Sequence, residues 1–242
     1  MGTGPESGSF QIQDIPNGRW RLGKDETVAI ITISRGSLSG GKALAGCLAE
    51  RLGYPTLGRE VLLEAAESLG ISEDAFRGKF ETAPNLWSRL TKDREKYILA
   101  VQTALAEWCT RGNLVYHGLS GQALLRGLPG VLRVRLVAPK ELRVRAFMES
   151  SPLLSHSQAL DFIEHVDQDR RRWGRLMYDL DITDTANYDL TVNLKRLSLE
   201  SACKAIAEAA AQPRYQSTDE VESEFFAFAA KCRDKLSQAI GD

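Results

Sequence analysis

The chain has 242 residues, 43% of them hydrophobic, enough for one good-sized α/β domain or two small ones with a proper core. Its 31 Lys and Arg against 32 Asp and Glu leave a formal net charge of −1, which argues against bulk electrostatic capture of nucleic acid. No apolar run is long enough to cross a bilayer, and the opening "MGTGPESGSF" is neither a signal peptide nor a myristoylation signal.

In chain order, residues 1–24 read as an irregular arm. "VAIITI" (Val28 to Ile33) is a β-branched apolar run suited to a buried parallel strand. From Lys42 the apolar residues Leu44, Cys47, Leu48 and Leu52 keep helical spacing, and Gly53 offers a stop. A helix fits Arg59 to Leu69, closed by Gly70, and Ser72 is a cap for a short third one. Pro84 to Cys109 reads as a long helix carrying Leu86, Leu90, Ile98, Val101 and Leu105. "LVYHG" (Leu114 to Gly118) and "VLRVRLVA" (Val131 to Ala138) are strands. The second puts Leu132, Val134 and Leu136 on one face and Arg133 and Arg135 on the other. Pro139 suits the first turn of a following helix. A charged helix runs from about Ser157 to Met177, "YDLTVN" (Tyr188 to Asn193) is a further strand, and Ser198 caps "LSLESACKAIAEAA", with Pro213 after it. The last stretch repeats Val221, Phe225, Phe228, Cys232, Leu236 and Ile240 at spacings of three and four. That makes an amphipathic helix suited to packing on the domain or on a second copy. Its polar face mixes both signs and does not suit a membrane. Strands alternating with helices imply an α/β parallel sheet with helices on both faces.

The four cysteines are far apart and show no C-x-x-C spacing, so reduced buried thiols in a cytoplasmic protein are expected rather than disulfides or zinc. Three histidines without an H-E-x-x-H give a hydrolytic metal site little support, and no metal ligands are assigned.

The informative stretch is "ISRGSLSGGKALA" (Ile33 to Ala45). It holds G-x-x-x-x-G-K between a strand and a helix. Glycines at 36, 40 and 41 let backbone N–H groups close around phosphate oxygens. The helix N-terminus supplies free N–H groups and positive dipole character, and Lys42 reaches the β/γ-phosphates. Ser37 and Ser39 are positioned to add hydroxyl contacts. Ala43 stands where the pattern carries the Ser or Thr that binds Mg²⁺. Without a ligand, the same stretch would be a plain glycine-rich turn.

Residues Ile31 to Pro55 resemble the opening of the cytidylate kinase-like family, a branch of the nucleoside monophosphate kinases. "VLRVRLVAPKELRVRAFME" (Val131 to Glu149) is similar to that family's V-R-x-x-A-P-x-x-x-R segment. "DRRRWGRLMYDLDITDTANYDLTVNLKRLSLESA" (Asp169 to Ala202) resembles its arginine-rich lid followed by D-x-x-D-x-x-x-Y-D-L-x-x-N. The three segments lie in family order within 27–210. The resemblance implies a three-layer P-loop kinase-like sheet over residues 25–212, with a helical acceptor-binding region at 55–110, a lid at 155–187, and the C-terminal helix (213–242) outside it.

The implied activity is ATP-dependent phosphoryl transfer to a nucleoside monophosphate, CMP or dCMP first, with Mg²⁺. Such chemistry consists mostly of aligning anions and neutralising charge, which planar guanidinium groups do well. By segment matching, Gly36 to Gly41, with Ser37 and Ser39, and Lys42 would hold the ATP phosphates, with Arg170, Arg171, Arg172 and Arg175 as the lid. Arg59, Arg135 and Arg143 would take the acceptor phosphate. Asp181 and Asp184 would orient the acceptor or hold Mg²⁺ waters. Three adjacent arginines cannot share one helix face, so one or two would reach the site.

Three positions depart from the family pattern: Leu38 replaces its first loop glycine, Gly58 replaces an Asp, and "YHGLSG" (Tyr116 to Gly121) lacks the arginine of G-R-G. His117 and Ser120 lie near that last spot, and a neutral His117 does not replace a permanent cation. These losses also fit an alternative, a nucleotide-binding protein that has given up transfer and serves as sensor or scaffold. In that case the C-terminal helix would be a partner or dimer surface. A third reading is transfer to a different acceptor.

Overall fold

The computed structural model describes residues 29–67, 69–70 and 87–241, and the side chains of 87–93 are not among those described. The expected arm at 1–24, the helix capped by Ser72 and the start of the long helix at Pro84 lie outside these residues. Among them are five parallel strands: β1 (Ile30–Arg35), β2 (Thr56–Leu57), β3 (Leu114–Tyr116), β4 (Val131–Val137) and β5 (Leu190–Asn193). Their spatial order is β2-β3-β1-β4-β5, and every pairing is parallel. The helices between and after them are α1 (Gly41–Leu52), α2 (Arg59–Glu67), α3 (Trp87–Cys109), α4 (Gly121–Leu124), α5 (Lys140–Ser150), α6 (His156–Tyr178), α7 (Leu199–Ala210) and α8 (Asp219–Gly241).

Alternation of side chains along the strands divides the core into two layers. Ile31, Ile33, Val115, Leu132, Val134 and Leu136 face α1 and α7, meeting Leu44, Leu48, Cys203 and Ile206. Ile30, Leu114, Tyr116 and Val131 face the other way, onto Leu62, Tyr97, Leu105, Trp173 and Phe225 from α2, α3, α6 and α8. β1 continues past its apolar run because β4 pairs Ser34 with Arg135 and Arg35 with Leu136. That register carries Arg35 to the carboxyl edge of the sheet, where ligands bind in open α/β folds.

The caps follow the sequence. Gly53 ends α1 with φ 69° and gives its N–H to Ala49 O at 2.8 Å. The Ser198 hydroxyl accepts from Ser201 N–H at the start of α7. Ser155, with Gln158, forms a capping box for α6, which begins at His156. β2 and α4 were not expected. Each is four residues or shorter, too short to leave a periodic pattern.

The expectation of four reduced thiols fails at one pair. Cys47 on α1 and Cys203 on α7 form a disulfide, with Cα atoms 6.2 Å apart and a sequence separation of 156. Both helices cover the same sheet face, and only the folded topology brings the two thiols together. Cys109 and Cys232 remain free and buried, and burial pushes both thiols up.

α8 lies along α3. Phe225, Cys232 and Leu236 are buried in that seam, and Arg233 Nη2 donates to Glu107 Oε1 at 2.9 Å beside it. No helix among the described residues is long and apolar enough to cross a membrane.

Candidate active site

The glycine loop follows β1 directly and turns into α1. Gly40, with φ 79°, offers no side-chain cap, so the first N–H groups of α1 face the loop without a capping side chain. Leu38 also has a positive φ, 54°. A side chain in that region costs about 1–2 kcal/mol, which is why a glycine suits this position. Here the side chain packs on a small cluster of Val144, Ala159 and Ile163 between α5 and α6, and that contact offsets the cost.

Helix α6 crosses the loop with one face. Ile163 anchors that face in the small cluster, and Trp173 and Met177 anchor it in the main core. Between the anchors, Asp167 and Arg170 meet the loop. Asp167 Oδ1 accepts from Ser37 N–H at 3.1 Å and from the Ser37 hydroxyl at 3.0 Å. Its Oδ2 accepts from Arg143 Nη2 at 2.5 Å. Burial alone would raise the Asp167 carboxyl, but the hydrogen bonds from Arg143 and Ser37 outweigh it and hold the group below the usual carboxylate range. Ser39 is also engaged, donating to Gly36 O at 2.7 Å. Both loop hydroxyls therefore brace the loop. Arg143 is 6% exposed, and its guanidinium lies where a Cβ on Gly36 would stand.

Beside the loop opens a cavity of about 530 Å³, lined by Arg35, Lys42, Arg59, His117 and Arg170, with Glu60 and Asp169 as its carboxylates. Arg170 Nη1 donates to Arg35 O at 3.1 Å. Burial lowers Arg170 to about 10, and repulsion from Arg35, Arg59 and Arg143 adds to that against the pull of Asp167. Arg35 is lowered by burial and partly restored by Glu60. His117 is lowered by burial first and then by the Arg35 charge, so it is neutral at pH 7. The Glu60 carboxylate fills the space that a side chain at Gly58 would enter. The acid absent from position 58 is thus present in the same space, delivered from the first turn of α2.

The other expected residues divide into two groups. Arg135, Arg143, Arg170 and Arg171 line a smaller cleft of about 70 Å³ on the other side of Arg35. There Arg135 donates to Ile182 O and lies over the Tyr188 ring at 5.5 Å. Arg172, Arg175, Asp181 and Asp184 line neither space. Arg172 faces Asp169 at 3.9 Å, and Arg175 pairs with Asp181 at 2.9 Å. The hydrogen bonds from Thr183, then Arg175, hold Asp181 well below the usual carboxylate range. Asp184 caps a short turn at Ala186 N–H, and Asp189 accepts from Arg133 N–H. Ser120 is fully buried with φ 58°.

Sequence reasoning missed Arg35, Glu60, Asp167 and Asp169. For Asp167 a signal existed: it lies one helical turn before Arg170, hence on the same face.

These residues fit a triphosphate. They do not fit a protein-ligated Mg²⁺. The Ala43 side chain has no oxygen, Glu60 lies against Gly58 beside a guanidinium, and Asp169 is shared by His165 at 3.4 Å and Arg172. Among the described residues no three potential metal ligands converge.

No curated protein matches the chain. Among solved structures, an uncharacterised protein from Eubacterium ventriosum is 19% identical, with 75% of this chain and 97% of that one covered at a TM-score of 0.60. A shikimate kinase from Acinetobacter baumannii in complex with shikimate is 19% identical over 76% of this chain and 93% of that one, TM-score 0.43. A gluconokinase from Sinorhizobium meliloti is 15% identical over 88% and 97%, TM-score 0.42. The family model described as "Cytidylate kinase-like family" matches residues 30–196, from the first strand through the loop, α6 and β5. By that match the chain belongs to the cytidylate kinase-like family.

Proposed function

We propose that the chain transfers the γ-phosphoryl group of ATP to a nucleoside monophosphate, CMP or dCMP first among acceptors. The observation that carries this reading is the crowding of Arg35, Lys42, Arg59 and Arg170 around one cavity at the uncapped start of α1. Burial lowers Arg170 and repulsion from Arg35 and Arg59 adds to it, and a bound polyphosphate relieves that repulsion. In this reading the loop N–H groups and Lys42 hold the donor phosphates. Arg170 closes over them from α6, and Arg59 meets the acceptor from α2. The residues align two anions and exclude water, which is most of what this chemistry requires. The family's usual donor is ATP with Mg²⁺, and among the described residues no cluster of potential ligands converges on a place for the ion. Such substrates carry a cytoplasmic location with them.

The test is ADP release with ATP and Mg²⁺ across CMP, dCMP, UMP, AMP and GMP, alongside thermal shift with the same ligands. Turnover with a pyrimidine nucleotide is the expected result. Stabilisation by ATP without turnover on any acceptor would instead favour a binding protein with a regulatory or scaffold role. The neutral His117, near the spot where the family pattern carries an arginine, speaks for that second reading. No response to any nucleotide would sink both.

A further inference from the structure

Arg35 is the last residue of β1, and four observations single it out. Its Nε is buried without a hydrogen-bond partner among the described residues. Its side chain lies across the start of α1, where a Cβ on Gly41 would overlap its Cδ and Nε. It lines both the 530 Å³ cavity and the 70 Å³ cleft, so it stands between them. Its carbonyl holds Arg170 by a 3.1 Å hydrogen bond, which ties it to the helix that crosses the loop.

A guanidinium at a helix N-terminus is on the wrong side of the dipole, because the free N–H groups there already carry positive character. Three more cations share the cavity with it. Burial and the like charges make this an unfavourable arrangement in the absence of an anion. Glu60 offsets only part of it. The loop's other gap lies on the same turn: Ala43, two residues after Gly41, has no side-chain oxygen with which to recruit a metal ion. Both facts have one solution, an anion bound at the start of α1 and gripped by Arg35.

We propose that Arg35 is a direct ligand of the donor nucleotide's phosphates, supplying at the N-terminus of α1 the positive charge that Ala43 cannot recruit through a metal ion. The inference rests on the ATP-binding part of the proposed function. In consequence, phosphate binding in this chain depends on a side chain of β1 and little on Mg²⁺. Glu60 is the counter-charge that Arg35 leaves, in part, when phosphate enters.

The experiment is equilibrium binding of ATP to the full chain by calorimetry, once with Mg²⁺ and once with EDTA, for the unaltered protein, Arg35→Gln, Arg35→Lys and Arg35→Gln with Ala43→Thr. Ligand-free melting of each variant reports whether it folds. The unaltered chain is expected to bind ATP in EDTA within about threefold of its affinity in Mg²⁺. Arg35→Gln is expected to weaken binding in EDTA by about tenfold to a hundredfold, the range of a charge-assisted hydrogen bond. Arg35→Lys keeps the charge without the planar fork and falls between, which keeps the test decisive if Arg35→Gln melts early. Adding Ala43→Thr to Arg35→Gln should recover affinity in Mg²⁺ and not in EDTA. Equal affinities of the unaltered chain and both Arg35 variants, or loss of unaltered binding in EDTA, would overturn the proposal and leave the kinase reading standing. No ATP binding by the unaltered chain under either condition would sink both.

Discussion

Asp167 is where the phosphate loop and helix α6 meet. Its two oxygens take the Ser37 N–H, the Ser37 hydroxyl and the Arg143 guanidinium, and the loop lies 130 residues away in sequence. The same region holds Leu38 in a conformation that costs free energy, so the loop's shape is maintained by contacts with α5 and α6 as well as by its glycines. The Asp167 carboxyl is lower in the folded chain than its unfolded value of about 3.9. A depressed carboxylate contributes stability that is present above the unfolded value and lost as pH falls through the folded one. Asp167→Asn should therefore melt earlier than the unaltered protein at pH 7. The gap should narrow as pH drops below about 4. A gap of constant size from neutral pH into acid would show that the charge on Asp167 contributes nothing and that only its shape matters.

At the scale of elements, α6 assigns roles to its arginines by helical phase. Its inner face runs through Ile163, Asp167, Arg170 and Met177, so Arg170 enters the cavity while Arg172 stays out with a 78% exposed side chain. Among the described residues Arg172 has one ion-pair partner, Asp169 at 3.9 Å, an exposed contact that contributes little to stability. Arg170→Ala should lower kcat/KM for ATP by about tenfold to a hundredfold, and Arg172→Ala by less than about threefold. Melting temperatures of both should stay near that of the unaltered chain in the absence of nucleotide. The reverse order of effects would mean that α6 rotates during turnover and brings its outer face inward.

At the scale of the molecule, what was legible in the sequence is what local patterning controls. The alternation of Leu132, Val134 and Leu136 identified β4, Ser198 and Gly53 marked helix ends, and the glycine spacing located the loop. What was hidden is long-range. Two-residue β2 exists only because Pro55 O and Leu57 O accept from the N–H groups of Val115 on β3 and His117 just after it. The Cys47–Cys203 bond joins helices that only the sheet order brings together. Glu60 enters the site through packing of α2, which no spacing rule reports, and the helical phase that puts Asp167 beside Arg170 does not say that the loop is what they meet. The C-terminal helix lies between these cases. Its apolar repeat is plain in the sequence, but its partner, α3, is set by the fold. Phe225 is 4% exposed and Leu236 is 7% exposed in the seam between them. Removing residues 216–242 would strip that cover from α3, in the same cluster that holds β3 and the end of α6. The expected outcome is early, broad melting and dye binding to exposed apolar surface, with Phe225→Ala as a milder version costing about 3–5 kcal/mol. A truncated chain that melts normally while its oligomeric mass falls would show that α8 instead serves to join copies of the protein.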